Sequence, residues 1–444
     1  MRGRPAVRRT ALARVSRRVA AVSLVSLGLG LAPGAPAGAE PLVPAKAEGA
    51  VRIATFNVSL YRDAAGALIA DLDAGSDQAH AIAEIIQRVR PDVLLLNEID
   101  HDPQGRAVAL LQERYLAEPH NGAAPVFYPH RFLAPVNTGQ PSGHDLNRDG
   151  EVEAQGAQDA WGYGVHPGQY GMAVLSKLAI DAEAVRTFQH FRWADMPGAK
   201  LPDDPATEAP GDWYGPEVLR DFPLSSKSHW DVPLRLEDGR ALHLLASHPT
   251  PPGFDGPEDR NGRRNHDEIR LWADYVTPGA ADYLYDNQGG RGGLDDRAAF
   301  VIAGDLNADP DDGAATAAIA QLLDHPRIET QPEPASDGAV AAARRQGGAN
   351  DRQWGDPATD TADFSDGDPS GAGGVGNLRV DYVLPGGPGV TIVAAGVFWP
   401  TPDNRVFRLV GDYPFPSSDH RLVWVDVRVD GASPKAVESE AAGQ

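Results

Sequence analysis

Eight side chains able to bind a cation or move a proton sit at the ends of apolar runs. Asn57 closes VRIATFN, Glu98 follows VLLLN, His248 follows ALHLLAS, and Asp305 and Asn307 follow AFVIAG. Asp381 lies early in its own run, RVDYVLP, and Asp419-His420 precedes the last one, LVWVDV. One such residue is usually a cap or a turn former. The recurrence is informative, because side chains at strand ends converge on one edge of a sheet, where ligands bind. Asp305, Asn307, Glu98 and Asp419 are hard oxygen donors, and the chain has no cysteine. Such a set suits Mg²⁺, Mn²⁺ or Ca²⁺. His248 and His420 supply groups that titrate near neutrality. A divalent cation, a base, and a carboxylate behind that base (a role open to Asp381) are the parts that phosphoester hydrolysis needs.

The ordered set FNV, LLLNE, GMAVLSK, ASHPTPP, GDLNADP, RVDYVLP and SSDHRLVWVD resembles the endonuclease/exonuclease/phosphatase superfamily, from about Val51 to Val429. That superfamily includes deoxyribonuclease I, exonuclease III-like repair nucleases, inositol polyphosphate 5-phosphatases and neutral sphingomyelinases. The HPTPP segment and the long inserts look most like its secreted bacterial members. The resemblance implies an α/β fold of two packed mixed β-sheets flanked by helices, a four-layer sandwich. It implies Glu98 as the principal metal carboxylate, with Asn57 beside it and Asp419 assisting, and Mg²⁺ or Mn²⁺ as the catalytic ion. Asp305 is similar to the aspartate that positions the attacking water, and Asn307 to a phosphate-oxygen ligand. His420 resembles the general base, oriented by Asp381, and His248 the second catalytic histidine. Tyr170 of GQYGM lies where relatives place a phosphate-side aromatic. Ser59 departs from the acidic residue that many repair nucleases carry there, which bears on a second metal.

These residues need a scaffold. Val51–Leu60 reads as a strand, and Asp77–Arg90 as an amphipathic helix with Ile82, Ile85, Ile86 and Val89 on one stripe. Pro91 stops it, and Val93–Asn97 reads as a strand buried on both faces. Further strands are expected at Gly171–Lys177, Ala241–Ser247, Ala299–Ala303, Val380–Leu384 and Leu422–Val429. A second amphipathic helix carries Ile269, Trp272, Ala273 and Val276 on its stripe. Three long inserts, about 118–168, 190–230 and 329–376, interrupt this frame, the last expected as a surface excursion.

Two further constellations stand apart. Asp145, Asn147, Asp149 and Glu151, with Gly150, fit the first half of a Ca²⁺ loop, although Gly156 replaces the bidentate glutamate at the twelfth position. A structural Ca²⁺ and a bare Asp/Asn/Gly turn remain equal alternatives. Arg260, Arg263 and Arg264 form the densest basic cluster of the acidic chain, read either as a substrate-phosphate clamp or as local balance for the acids around them.

The whole chain has 444 residues, 40 Lys and Arg against 62 Asp and Glu, and a formal charge of −22. That average covers two objects. Residues 1–39 hold seven arginines and no other charge, then an apolar run from Val19 to Leu31 and an Ala-Gly-Ala end, the pattern of a secretory signal. Paired arginines leave the Sec and Tat routes both open. Without the leader, 33 basic residues face 62 acidic ones and the charge is −29. Such a balance argues against a protein that grips nucleic acid by charge alone. The expected organisation is a signal peptide over 1–39, a linker over 40–50, one catalytic domain over 51–430 and a tail over 431–444. The expected product is a secreted metal-dependent phosphoester hydrolase acting on nucleic acid, a nucleotide or another small phosphoester. It has no membrane span in its mature form and no implied protein partner. The competing reading is a non-catalytic, metal-stabilised extracellular binding protein on the same scaffold.

Overall fold

Helix signals and strand runs alternate along the first half of the chain, and the structure follows them. The computed structural model describes residues 42–153, 156–364 and 374–430. The leader expected over 1–39 and the tail expected over 431–444 lie outside these residues. In chain order the strands are β1 (Val51–Leu60), β2 (Val93–Ile99), β3 (His130–Phe132), β4 (Met172–Ser176), β5 (Ala179–Ile180), β6 (Arg186–Thr187) and β7 (His229–Arg235). They continue as β8 (Ala241–Ser247), β9 (Ala299–Asp305), β10 (Ala362–Asp363), β11 (Asn377–Leu378), β12 (Asp381–Gly386), β13 (Val390–Val397) and β14 (Val423–Val429). One sheet has the order β13-β14-β1-β2-β4-β3, and the other β12-β9-β8-β7-β5 with β6 also paired to β7. β10 and β11 form a separate ribbon.

In each sheet one pair runs parallel, β1 with β2 and β8 with β9, among antiparallel neighbours. Parallel neighbours need a crossover. It is helix Asp77–Val89 in the first sheet and helix Arg260–Val276 in the second. Ser76 caps the first helix through Ala79 N–H, and Arg90 closes it in a left-handed conformation just before Pro91. The two sheets pack face to face through β1 and β2 against β9 and β12. Alternation along β9 sorts its side chains. Val301 and Ala303 join the core that holds β1 and β2, while Phe300 and Ile302 join a second core with Ile269 and Trp272 of helix Arg260–Val276. The layers are therefore helix, sheet, sheet, helix.

The inserts are anchored. Phe191, Trp193, Tyr214 and Phe222 of the 190–230 insert pack under helix Arg260–Val276. The excursion 329–376 differs from its expectation. It carries helix Asp337–Gln346, whose Ala339 and Ala342 enter the main core. Beyond that helix, the Asp363 and Arg421 N–H groups donate to the Asp419 and Thr361 carbonyls, so the excursion pairs with the chain around His420. Within residues 40–50, Pro44 O accepts from Arg52, and Lys46 pairs with Asp92. No helix among the described residues is long and apolar enough to cross a membrane.

Candidate active site at the sheet ends

The carboxyl ends of both parallel pairs point to the same place. Asn57 Nδ2, late in β1, donates to Asp305 Oδ2 at the end of β9 (3.0 Å), although the residues are 248 positions apart. Asp381 begins β12 directly opposite Asp305 in the antiparallel register. A Cβ on Gly304 would come within 1.9 Å of the Ser247 carbonyl oxygen, so only glycine lets β8 and β9 close up beside Asp305. The β1–β2 register shifts between Asn57 and Leu60, next to Glu98. Such irregularities re-aim side chains at functional edges. Ser59, Glu98, Tyr170 and Asn307 all have left-handed φ values between 47° and 57°, and all four line one cavity of about 1020 Å³. Backbone strain of this kind clusters at sites that need it.

Two interactions organise the chemistry. His420 Nδ1 lies 2.9 Å from Asp381 Oδ2, which also accepts the Thr361 hydroxyl at 2.8 Å. This fixes the ring, leaving Nε2 facing Asp305 Oδ2 at 3.8 Å. Opposite, His248 Nε2 lies 3.3 Å from the same Asp305 oxygen and 3.9 Å from Glu98 Oε1. No carboxylate partner for His248 is readable in the sequence, and in the structure Asp305 takes that place. Asn307 N–H donates to Asp305 Oδ1 (3.0 Å), and its side-chain amide donates to Pro249 O (3.2 Å). Asp419 lines the cavity, its Oδ1 accepting the Ser59 hydroxyl at 3.1 Å.

The electrostatics follow from burial of so many acids. Burial pushes Glu98 up to about 7, with Asp419 and Asp305 adding to the effect against His420 and Asn57. Burial, with the Lys227 charge, takes His248 down to about 4, so its imidazole is neutral. Burial disfavours a charged His420, but the Asp381 and Asp305 carboxylates outweigh it and hold the proton well above the ordinary range. A cluster of this kind fits a divalent cation. Glu98 and Asp305 offer hard carboxylate oxygens and His248 an imidazole nitrogen, and the three ligand atoms lie within 4.8 Å of one another. Asn57 and Asp419 stand beside them, both acting on Glu98.

Other sequence candidates are placed differently. Arg260 and Arg264 line the cavity, but Arg263 does not. Arg263 instead donates to the Leu201 carbonyl (2.8 Å). Arg260 pairs with Glu258 (2.6 Å), and Arg264 donates to the carbonyls of Leu224 (2.8 Å) and Pro223 (3.0 Å). The three-arginine clamp is therefore not assembled. Lys227, 6% exposed and lining the cavity, faces Glu98 and Asp305 in their place. It sits in the irregular 190–230 insert, where nothing in the sequence marked it. Tyr170 lines the cavity with its ring 4.4 Å from Tyr61. Thr361 behind Asp381, and Phe364 with its ring 5.4 Å from His420, were also missed, because their segment read as surface. In the Asp145–Glu151 loop, Asp145 Oδ2 accepts Gly150 N–H (2.8 Å) and Asp149 Oδ1 accepts Glu151 N–H (3.0 Å). Among the described residues, that loop is not one of the groups in which three carboxylate or imidazole ligand atoms converge.

The sequence profile of the Endonuclease/Exonuclease/phosphatase family matches residues 54–420. No curated protein matches the chain. Among solved structures, it is similar to an endonuclease/exonuclease/phosphatase from Beutenbergia cavernae, 19% identical over 87% of this chain and 73% of that one, with a TM-score of 0.47. It is also similar to sphingomyelinase C from Streptomyces griseocarneus, 15% identical over 85% of this chain and 99% of that one, with a TM-score of 0.43. A family protein from Leptotrichia buccalis is 12% identical over 86% of this chain and 100% of that one, with a TM-score of 0.40.

Proposed function

The chain belongs to the endonuclease/exonuclease/phosphatase family, a family of divalent-metal-dependent phosphoester hydrolases, and on that premise we propose that it is a secreted hydrolase of this kind, with water activated by His420 and Asp381. The observation that carries the reading is the His420–Asp381 pair, 2.9 Å apart, with its free nitrogen turned to Asp305 where β1, β2, β8 and β9 end together. The basic leader and its Ala-Gly-Ala end support export.

Glu98, with Asn57 and Asp419 beside it and Asp305 across, would hold Mg²⁺ or Mn²⁺. When bound, the ion supplies neutralisation of charge on the phosphoryl and leaving oxygens. The remaining work belongs to the chain. Asp381 holds the His420 ring so that Nε2 meets the attacking water, and Asp305 orients that water. His420 accepts the water proton once the negative field of Asp305, Asp381 and Asp419 is compensated. Lys227 and Asn307 bind phosphoryl oxygens. His248, neutral at physiological pH, has one N–H, which it directs to Asp305, so it orients that carboxylate and does not serve as a cationic acid.

The test is a panel of plasmid DNA, RNA, a chromogenic phosphomonoester, a phosphodiester and sphingomyelin, each with Mg²⁺, Mn²⁺ or Ca²⁺, against His420→Ala. Metal-dependent turnover lost in His420→Ala is the expected result. No metal-dependent turnover on any substrate would overturn the reading.

A further inference from the structure

Helix Arg260–Val276 buries a run of polar side chains in its N-terminal half. Arg264, Asn265, Asp267 and Glu268 are each at most 7% exposed. A helix laid on a sheet requires only an apolar stripe, so polar groups this deep call for specific partners. Glu268 Oε1 accepts the Ser226 N–H and Oε2 the Thr250 N–H, both at 2.6 Å. Three residues earlier, on the same helix face, Asn265 Nδ2 donates to the carbonyls of Thr250 (2.8 Å) and Leu306 (3.0 Å). Ser226 adjoins Lys227, Thr250 lies two residues past His248, and Leu306 stands between Asp305 and Asn307. Three separate segments, each bearing a residue of the site, are thus tied to two side chains of one helix. The Glu268 carboxylate also acts on the charge of both Lys227 and Arg264.

Resting on the hydrolase reading above, we propose that Glu268 and Asn265 are positioning residues that fix Lys227, His248 and Asp305 relative to one another, and so set the turnover rate without touching substrate. A carboxylate is required at 268. It accepts from two backbone donors at once, whereas a glutamine would turn its NH₂ toward one of them. The same helix provides a control. Asp267 is equally buried, but its Oδ2 accepts the Trp193 indole N–H (2.7 Å) and the Lys200 N–H (2.6 Å), and neither partner lines the cavity.

The experiment compares Glu268→Gln, Asn265→Ala and Asp267→Asn in the full chain, measuring Tm, kcat and KM on the best substrate of the panel. Imidazole resonances of ¹³C-histidine-labelled protein are recorded in parallel, with His248 assigned from His248→Ala. All three variants should melt earlier. Only Glu268→Gln and Asn265→Ala should lose kcat, by roughly 10- to 100-fold, the scale for groups that orient an active residue from behind. Only these two should move the His248 resonance. Wild-type kcat, or an unmoved His248 signal with a loss no greater than that of Asp267→Asn, would overturn the proposal. Should Glu268→Gln not fold, Asn265→Ala decides on the same readouts. If the wild type hydrolyses nothing, the hydrolase reading falls and the His248 resonance alone decides the positioning: movement supports it, and no movement overturns it.

Discussion

The two crossovers of this fold are one structural unit put to different uses. Each joins a parallel strand pair, and each pair ends at the cavity, with Asn57 and Glu98 from the first and Asp305 and the adjoining His248 from the second. Their helices differ inside. Helix Asp77–Val89 buries Ile82, Ile85, Ile86 and Val89, and its buried Glu84 and Gln87 bond Arg88, Arg408 and the Leu116 carbonyl, away from the site. It reaches the site through the partly exposed Gln78, whose amide donates to the carbonyls of Ser59 (3.1 Å) and Ser417 (2.8 Å). Helix Arg260–Val276 is apolar only in its C-terminal half, and its N-terminal half ties down three site segments. The reason lies in where the site residues sit. Asn57 and Glu98 are inside strands, so the ladder itself holds them. Lys227, His248 and Asn307 lie just outside strands and need a second hold, which polar side chains of the helix provide.

Both crossovers should nevertheless be equally necessary at the strand ends. Glu98→Gln and Asp305→Asn, one from each half, should each lower kcat by roughly 10²- to 10⁴-fold, the range for groups acting directly on the reacting atoms. Steady-state kinetics at saturating Mg²⁺ checks this. An asymmetric result, with one variant near wild type, would assign the chemistry to a single half.

A core substitution in the first helix should separate stability from rate. Ile86 is fully buried in the main core, and Ile86→Ala should cost about 2–5 kcal/mol. Below its melting range the variant should keep wild-type kcat, because that helix fills space where the second one positions. Urea unfolding and kinetics on the same preparation give both numbers. A parallel fall in kcat would erase the distinction between the helices.

How much of this was legible in the sequence depends on the distance over which each feature is decided. Both crossover helices follow from local periodicity, and β2 and β9 from unbroken apolar runs. Asn57, Glu98, Asp305 and His420 were visible because each ends, or directly precedes, such a run. Lys227 had no pattern around it, and its place comes from Ser226 bonding to a helix residue 42 positions away. Thr361 and Phe364 reach His420 through backbone pairing between 361–363 and 419–421, a long-range ladder in a segment whose composition reads as surface. In the sequence Glu268 is simply one of several acids close to Arg260, Arg263 and Arg264. Spacing alone does not reveal that Glu268 points inward and Arg263 outward.

The pH dependence of stability should distinguish the halves again. His229 is 1% exposed, with Nδ1 2.7 Å from the Ser225 hydroxyl and Nε2 2.8 Å from the Glu268 carbonyl oxygen. Its ring also packs on Trp272, and the facing charge is the Glu268 carboxylate. Burial pushes its imidazole from 6.5 down to about 4, outweighing that carboxylate. As pH falls through this window the unfolded chain binds a proton that folded His229 refuses. The His229 contribution should therefore be level above about 6.5 and decline toward 4, at up to about 1.4 kcal/mol per pH unit and about 3 kcal/mol in all. In the first crossover, burial raises Glu84, but bonds from Arg408, Asn121 and Arg88 outweigh it and lower the carboxyl below its ordinary 4.5. Its contribution should persist to more acid pH and fade only below that value. Urea midpoints between pH 7 and 4 should show a flatter slope in His229→Gln and an unchanged one in Glu84→Gln. Equal slopes in His229→Gln and wild type would show that His229 is not held neutral.

The smallest effect tests whether the second helix has one working face or two. Arg263 donates to the Leu201 carbonyl (2.8 Å), and its nearest carboxylate, Asp259, is 3.7 Å away with both side chains partly solvated. Such surface pairs are worth about 0–1 kcal/mol. Held by the Leu201 carbonyl, Arg263 does not reach the cavity that Arg260 and Arg264 line. Arg263→Ala should therefore change kcat and KM by less than about twofold and stability by about 0.5 kcal/mol or less. A tenfold rise in KM would instead mean that substrate reaches the outer face of helix Arg260–Val276. The contrast between a helix that positions from within and one that only packs would then have to be redrawn as a contrast in substrate contact.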